Sequence, residues 1–271
     1  MQKQVDPSSA ADADGLFAVN FCDDARINQH ASVCEWLQFG HVLGLLCRQS
    51  VPIVGRARKP LLLDPIKELD FFEESHRYRW RGNWVLDNVS EVCSDELTPF
   101  AKQRIEETRH GPDGWELRGR TIHRCLDAQL TDQPFVHEDR WDAWLDPLFD
   151  EPLFKGIETL ATEFRLVDRY NNVAGSFDFL VSSDAGVTLG DLKTVGSRKS
   201  VSGRKPATRQ LGAYAKMLQQ HFPEVRVDRC VTVVSGPERC RVITEDPQEC
   251  IEAWEEALGV YRAKQDAAFD F

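Results

Sequence analysis

Apolar and polar residues alternate through the middle of the chain in the manner of consecutive β-strands. Residues 163–170, 173–181 and 187–194 each carry the β-branched and aromatic residues typical of strands. An Asn-Asn pair at 171–172 and an Asp-Ala-Gly run at 184–186 supply turn residues between them. The pattern therefore predicts three antiparallel strands joined by short turns.

The apolar spacing then changes from strand-like to helical. Pro206 precedes a segment in which Leu211, Tyr214 and Leu218 share one helix face, and Pro223 ends it. A fourth strand is predicted over 225–234, and an amphipathic helix over 248–264. This order of elements predicts an α/β fold with a mixed central sheet flanked by helices.

The sequence before these three strands, which form a β-meander, predicts shorter elements. Residues 76–86 have the pattern of a hairpin around an Arg-Gly-Asn turn. Thr98 followed by Pro99 predicts the start of a helix that ends near Arg109. A further helix is predicted from about residue 119, with Ile122 on its apolar face and His123 at the edge of that face.

The N-terminal 60 residues differ from the rest of the chain. Residues 1–15 are polar and predict disorder, whereas residues 16–50 have helical apolar spacing without recognisable chemistry. We therefore divide the chain into a partly disordered, helical N-terminal extension of unknown function (1–60) and a main domain (61–271).

Composition limits the function classes. A net charge of −11 argues against a protein that binds nucleic acid over much of its surface, although a local basic groove remains compatible with it. The chain lacks a run of about 20 apolar residues and an apolar leader segment. We therefore expect a cytoplasmic protein, in the host-cell cytoplasm if it is viral, that does not associate with membranes.

Three residues of the meander suggest catalysis. Asp191 and Lys193 are two apart on one strand, so their side chains point to the same face, roughly 7 Å apart along the strand. Asp178 lies on the preceding strand, on the face opposite to Phe177 and Phe179, and is expected to approach Asp191. Carboxylates bind Mg²⁺ or Mn²⁺, and a lysine can position water or stabilise a charged transition state. An Asp-x-Lys alone is more often a solvated ion pair.

The surrounding motifs strengthen the catalytic interpretation. They are Gly-Arg-Thr-Ile-His ending at 123, Gly-Ser-Phe-Asp ending at 178, Gly-Asp-Leu-Lys-Thr at 190–194 and Gln-Leu-Gly-Ala-Tyr at 210–214. In this order they resemble the RecB-like branch of the PD-(D/E)XK nuclease superfamily, which includes the mitochondrial genome maintenance exonuclease. Residues 72–78 and 88–92 resemble the lead-in of the exonuclease members. The resemblance covers about residues 70–235.

The resemblance implies a restriction-endonuclease-like core and a role for each matched residue. The metal ligands would be His123, Asp178, Asp191 and the backbone carbonyl of Leu192. The catalytic residues would be Asp178, Asp191 and Lys193. Gln210 and Tyr214 would hold the site and the substrate, and Glu163 would lie close to the metal ligands without binding the metal.

Five basic residues fall between the third strand and the following helix. They are Arg198, Lys199, Arg204, Lys205 and Arg209. Their position beside the candidate catalytic strand favours contact with a phosphate backbone, to which the start of the next helix adds N–H donors. A solvated run of charges is the alternative.

Two departures from the family pattern and the cysteines affect the expected cofactors. Phe177 stands where the family name has proline, and the second acid is Asp191 rather than glutamate. The eight cysteines include no Cys-x-x-Cys pair, and the evenly spaced Cys230, Cys240 and Cys250 are too far apart for a compact metal site. The four clustered cysteines that hold an iron–sulfur cluster in some relatives are not evident, so we expect reduced thiols and no cluster; a cluster held by this triplet and one distant cysteine is the alternative. The carboxylates of the site favour Mg²⁺ or Mn²⁺ as the cofactor.

The resemblance implies a metal-dependent deoxyribonuclease, with an exonuclease acting on single-stranded DNA or DNA ends as the expected form. Its role would lie in repair, recombination or replication, and a recombination or replication protein is a candidate partner. Two alternatives remain open: a non-catalytic DNA-binding accessory protein on the same fold, and a hydrolase of a small phosphate compound. Exonuclease or endonuclease action, polarity, and DNA or RNA preference are not determined by these residues.

Overall fold

The computed structural model describes residues 63–269, which form two sheets. The smaller sheet contains β1 (Leu69–Phe72), β2 (Arg77–Trp80) and β3 (Asn83–Trp84). The larger sheet contains β4 (Asp87–Asn88), β5 (Glu158–Asp168), β6 (Val173–Ser183), β7 (Gly186–Thr194), β8 (Arg229–Gly236) and β9 (Arg239–Glu245). The expected N-terminal extension, residues 1–60, lies outside the described residues.

Seven α-helices accompany the strands in the described part of the chain. They are α1 (Val89–Ser94), α2 (Pro99–Glu107), α3 (Trp115–Leu130), α4 (Asp142–Phe149), α5 (Arg198–Gly203), α6 (Thr208–His221) and α7 (Pro247–Phe269). The predicted start of α2 is confirmed, because the Thr98 side chain accepts a hydrogen bond from the Ala101 amide. None of the helices between residues 63 and 269 is long and apolar enough to cross a bilayer.

The larger sheet is mixed, as the sequence predicted. β6 is antiparallel to β5 and β7, β7 is parallel to β8, and β8 is antiparallel to β9. β4 is also parallel to β6. The parallel pair of β7 and β8 is joined through α5 and α6, as a crossover requires. The sequence did not predict β1, β4, β9, α1 or α5, which have two to seven residues each.

Helices cover both faces of the larger sheet. On one face, α6 and α7 bury Leu211, Met217 and Trp254 against β6 and β7. On the other, α3 and α4 bury Ile122 and Leu148. The smaller sheet packs on this second face. There Tyr78 packs with Val167, near the end of β5, and with Ala174, near the start of β6. The mixed α/β architecture with flanking helices is thereby confirmed.

One edge of β6 is interrupted. β5 pairs along nearly the whole length of β6 on one side. On the other side, β4 pairs only with residues 173–174 and β7 only with residues 179–183. Residues 175–178 therefore have no strand partner on that edge among the described residues, and we call this opening the β6 notch. Asp178 lies at the end of the notch where β7 begins to pair.

A glycine on β7 allows close packing next to the notch. A Cβ added at Gly190 would lie 1.9 Å from Cζ of Phe179, and the ring is fully buried. We expect Gly190→Ala to lower the free energy of unfolding by about 1–3 kcal/mol, because a packed ring must move. Urea denaturation measures the effect. Gly203→Ala is the matched control because its Cβ would have no atom within 4 Å; equal losses in both variants would contradict the steric explanation.

Candidate metal and catalytic site

The alternation of side chains along β6 breaks at Asp178. Phe177 packs in the core beneath α6, and its ring meets that of Tyr214. Asp178 and Phe179 instead both lie on the α3 side, where Asp178 contacts His123 and Phe179 packs with Ile122. The prediction that Phe177 and Phe179 share a face is therefore wrong. The irregularity directs a carboxylate towards α3 without removing the following aromatic ring from the core.

β5 breaks its alternation at the same level. Thr162 pairs with Phe179 and Phe164 with Phe177, so Glu163 lies opposite Asp178. Thr162 donates a hydrogen bond to Asp127 on α3, and Glu163 also approaches α3. Glu163 has a φ of 46°, which is the left-handed region that costs a non-glycine residue about 1 kcal/mol or more. The two irregular strands thus direct both carboxylates towards one helix.

His123 completes a compact group of three possible metal ligands. Its Nδ1 atom is 3.4 Å from Oδ1 of Asp178 and 3.8 Å from Oε1 of Glu163. One ligand atom from each residue lies within 4.8 Å of the others. Glu163, for which the sequence predicted a position close to the metal ligands, lies within this group of possible ligands. The positive φ that turns it inward has no signature in the sequence.

The donor atoms of this group fit a hard divalent cation. Ligands about 2.1 Å from Mg²⁺ lie about 3.0 Å apart when adjacent and about 4.2 Å apart when opposite. The two distances from the imidazole nitrogen fall within this interval. The two carboxylates suit Mg²⁺ or Mn²⁺, whereas the imidazole is a ligand more typical of transition metals, so the set as a whole favours Mn²⁺ over Mg²⁺. Three protein ligands leave positions for water and substrate.

Without a cation, the charges within the group compensate one another. Burial lowers the pKa of His123, but the carboxylates of Asp178 and Glu163 outweigh it and raise that pKa to about 10. Burial raises the pKa of Asp178, but the charges of His123 and Lys193 outweigh it and hold that pKa below its usual value. A metal ion that binds here must therefore displace a proton from His123.

Asp191 and Lys193 form a second, adjoining group. Nζ of Lys193 lies 2.9 Å from Oδ2 of Asp191, as their shared strand face predicts, and both side chains are almost completely buried. Asp191 is not part of the three-residue ligand group. The two groups are joined across the notch, because the Leu192 amide donates a 2.5 Å hydrogen bond to Oδ2 of Asp178. The N–H and C=O of a strand residue point to the same side, so the Leu192 carbonyl also faces the notch.

The residues expected to bind substrate do not lie together on one exposed surface. Gln210 and Tyr214 are buried on α6, facing the sheet. Arg204 is also buried, and burial, opposed by the nearby Asp191 charge, lowers its pKa to about 10.

The other basic residues of this segment are more accessible. Arg209 forms an ion pair with Glu96 at 2.6 Å, and the exposed Arg198 lies 3.5 Å from Glu238. Lys199 and Lys205 are exposed. The segment is therefore the short helix α5 and its flanks rather than a continuous basic loop.

Binding of a metal ion by the ligand group should stabilise the folded protein, and this effect can be measured without catalysis. We expect saturating Mn²⁺ to raise the Tm of the wild type by about 5–10 °C, since a ligand at 100 times its Kd adds about 2.7 kcal/mol. Glu163→Gln should lose most of this shift because an amide is a weaker ligand for the cation. Differential scanning calorimetry with and without Mn²⁺ makes the comparison. Glu158→Gln is the control, at the exposed start of the same strand; an unchanged Mn²⁺ shift in Glu163→Gln would exclude Glu163 as a ligand.

Comparisons with protein families, curated proteins and solved structures do not identify a function for this site. No family model matches the chain, and no curated protein matches it by sequence. A solved structure titled as that of SSO0001 is 13% identical, with a TM-score of 0.34, and covers 64% of this chain and 74% of its own. An alkaline exonuclease from Laribacter hongkongensis is 14% identical, with a TM-score of 0.35, and covers 68% of this chain and 89% of its own. These similarities are too weak to support a conclusion about function.

Proposed function

We propose that the protein is a divalent-metal-dependent nuclease that hydrolyses phosphodiester bonds in DNA. The observation that carries this proposal is the position of the His123–Glu163–Asp178 ligand group across the notch from the buried Asp191–Lys193 pair. A cation site beside a fixed ammonium is an arrangement that can stabilise the charge that develops when a phosphate diester is hydrolysed.

A purely structural role explains these residues poorly. The residues Asp178, Asp191 and Lys193 are 4%, 0% and 1% exposed. Buried ion pairs rarely stabilise a protein more than apolar residues of similar volume, because each charge loses its hydration. Buried ionisable groups with shifted pKa values, such as His123 and Asp178 here, are instead typical of functional sites.

Each side chain has a definite part in the proposed reaction. His123, Glu163 and Asp178 would hold the cation, with Asp191 and the Leu192 carbonyl at the border of its site. When bound, the cation supplies Lewis-acid stabilisation of the phosphate and lowers the pKa of a water ligand. Asp191 fixes the Lys193 ammonium, which donates hydrogen bonds to the attacking water or to a phosphate oxygen as negative charge develops. The Leu192 amide orients Asp178.

The proposed substrate is single-stranded DNA or DNA with free ends. In this proposal Arg204, on which the Asp191 charge acts, would contact the phosphate at the site, and the exposed Lys199 and Lys205 would contact neighbouring phosphates. With a net charge of −11, binding should rely on few contacts and weaken with salt. In this proposal the enzyme acts in the cytoplasm, in repair, recombination or replication, beside a recombination or replication protein.

The test is a cleavage assay with three DNA forms. An end-labelled single strand, its duplex and a circular single strand are incubated with Mn²⁺, with Mg²⁺ and with EDTA. We expect metal-dependent release of label from one end of the linear strand, with the circle intact, which also gives the polarity. Binding of the linear strand without cleavage in any metal would contradict the proposal and favour a non-catalytic accessory protein.

A further inference from the structure

Asp127 lies beside the ligand group without belonging to it. It is four residues after His123 on α3, so the two side chains share one face of the helix. Its Oδ1 atom accepts a 2.5 Å hydrogen bond from the hydroxyl of Thr162, the residue that precedes Glu163 on β5. One helix face therefore carries a candidate metal ligand and a carboxylate that holds the strand of a second one.

The strand that Asp127 holds is irregular at this point. Thr162 and Glu163 both lie on the α3 side of the sheet, whereas successive residues of a regular strand lie on opposite sides. Phe164 returns to the other side, where its ring stacks on that of Phe177 with 5.5 Å between the ring centroids. These two contacts fix β5 immediately before and immediately after Glu163.

The backbone of Glu163 depends on such contacts. Its φ of 46° is a left-handed conformation, which persists at a non-glycine residue only where the surrounding structure holds it. Thr162 can provide this hold, because it is buried and donates to a carboxylate, which accepts a stronger hydrogen bond than a neutral group does. Without that bond Glu163 can return to a negative φ. The direction of its Cβ then changes, and its carboxylate leaves the position 3.8 Å from Nδ1 of His123.

We infer that Asp127 is a positioning residue of the metal site. It acts through Thr162 on the backbone of Glu163, and so sets where the Glu163 carboxylate lies relative to the other two ligands. The inference rests on the proposed metal-dependent function and adds to it a residue outside the ligand group. Loss of a hydrogen-bonding group that orients metal ligands typically weakens metal binding by about 10–100-fold.

The test measures the Kd of Mn²⁺ in the absence of DNA, from the electron paramagnetic resonance signal of the free ion. Thr162→Val keeps the shape of the side chain but removes the hydroxyl, and we expect it to weaken Mn²⁺ binding about 10-fold. Asp127→Ala removes the acceptor and should have the same effect. Thr162→Ser keeps the hydroxyl and should bind Mn²⁺ as the wild type does.

Thr159→Val is the matched control. Thr159 lies on the same strand, and its buried hydroxyl also donates to α3, with a 2.8 Å hydrogen bond to the Leu130 carbonyl. The control therefore loses an equivalent bond between β5 and α3 at a position that is not adjacent to Glu163. It should lose stability but keep the wild-type Kd for Mn²⁺.

A double-mutant cycle separates positioning from a general loss of structure. Glu163→Gln weakens the ligand itself, so the position of that side chain no longer matters to the metal ion. Thr162→Val should therefore weaken Mn²⁺ binding about 10-fold in the wild-type background and have little effect in the Glu163→Gln background. An equal loss in both backgrounds would overturn the inference.

The outcomes distinguish the positioning role from the function on which it rests. If Glu163→Gln weakens Mn²⁺ binding but Thr162→Val and Asp127→Ala do not, the positioning role is overturned and the nuclease proposal stands. If the wild type binds no Mn²⁺, both are overturned. Asp127→Ala decides by itself if Thr162→Val does not fold.

Discussion

Lys193→Met should reduce the rate of DNA cleavage about 10³-fold, the effect expected when one fixed donor is lost from a charged transition state. Methionine keeps a long unbranched side chain but removes the ammonium that Asp191 holds at 2.9 Å. The loss should fall on the single-turnover rate rather than on DNA binding, because the buried Lys193 is fixed within the protein rather than lying on an open binding surface.

Single-turnover cleavage at saturating enzyme and Mn²⁺ measures this effect. Lys216→Met is the matched control, since Lys216 pairs with Glu255 between α6 and α7 rather than at the site. It should cleave at the wild-type rate. A Lys193→Met protein within 10-fold of the wild-type rate would remove Lys193 from the proposed chemistry.

The same substitution should also destabilise the metal-free protein by about 3–5 kcal/mol, because it leaves the fully buried Asp191 carboxylate without its 2.9 Å partner. Replacing both partners removes the uncompensated charge. The Asp191→Asn/Lys193→Met protein should therefore recover most of the lost stability, while it remains inactive.

Urea denaturation in EDTA at neutral pH measures the four proteins of this double-mutant cycle. The recovered double variant also shows that inactivity does not arise from unfolding. If the double variant is as unstable as Lys193→Met, the buried charge is not the origin of the loss. The Arg204 guanidinium, whose charge also acts on Asp191, would then be the group to replace next.

The sequence predicted the features that depend on regular periodicity. Asp191 and Lys193 share a strand face, and Leu192 packs in the opposite layer, as strict alternation requires. The three-strand meander, α6 and the N-cap of α2 were likewise readable from local patterns.

The remaining features depend on irregular backbone and on tertiary burial. Strict alternation along a strand does not predict that Phe179 lies on the same side of the sheet as Asp178. It also does not predict that a positive φ turns Glu163 towards α3. Composition suggested exposure for Arg204, but the fold buries it near Asp191. The division into an extension and a main domain, and the roles of the site residues, stay predictions.

The central claim is that His123, Glu163 and Asp178 hold a divalent cation beside the Asp191–Lys193 pair. A crystal structure with Mn²⁺, analysed by anomalous scattering, tests it most directly. We expect one strong Mn²⁺ peak about 2.1–2.3 Å from Nδ1 of His123 and from a carboxylate oxygen of each acid. An empty site at saturating Mn²⁺, or a peak bound by other residues, would contradict the claim.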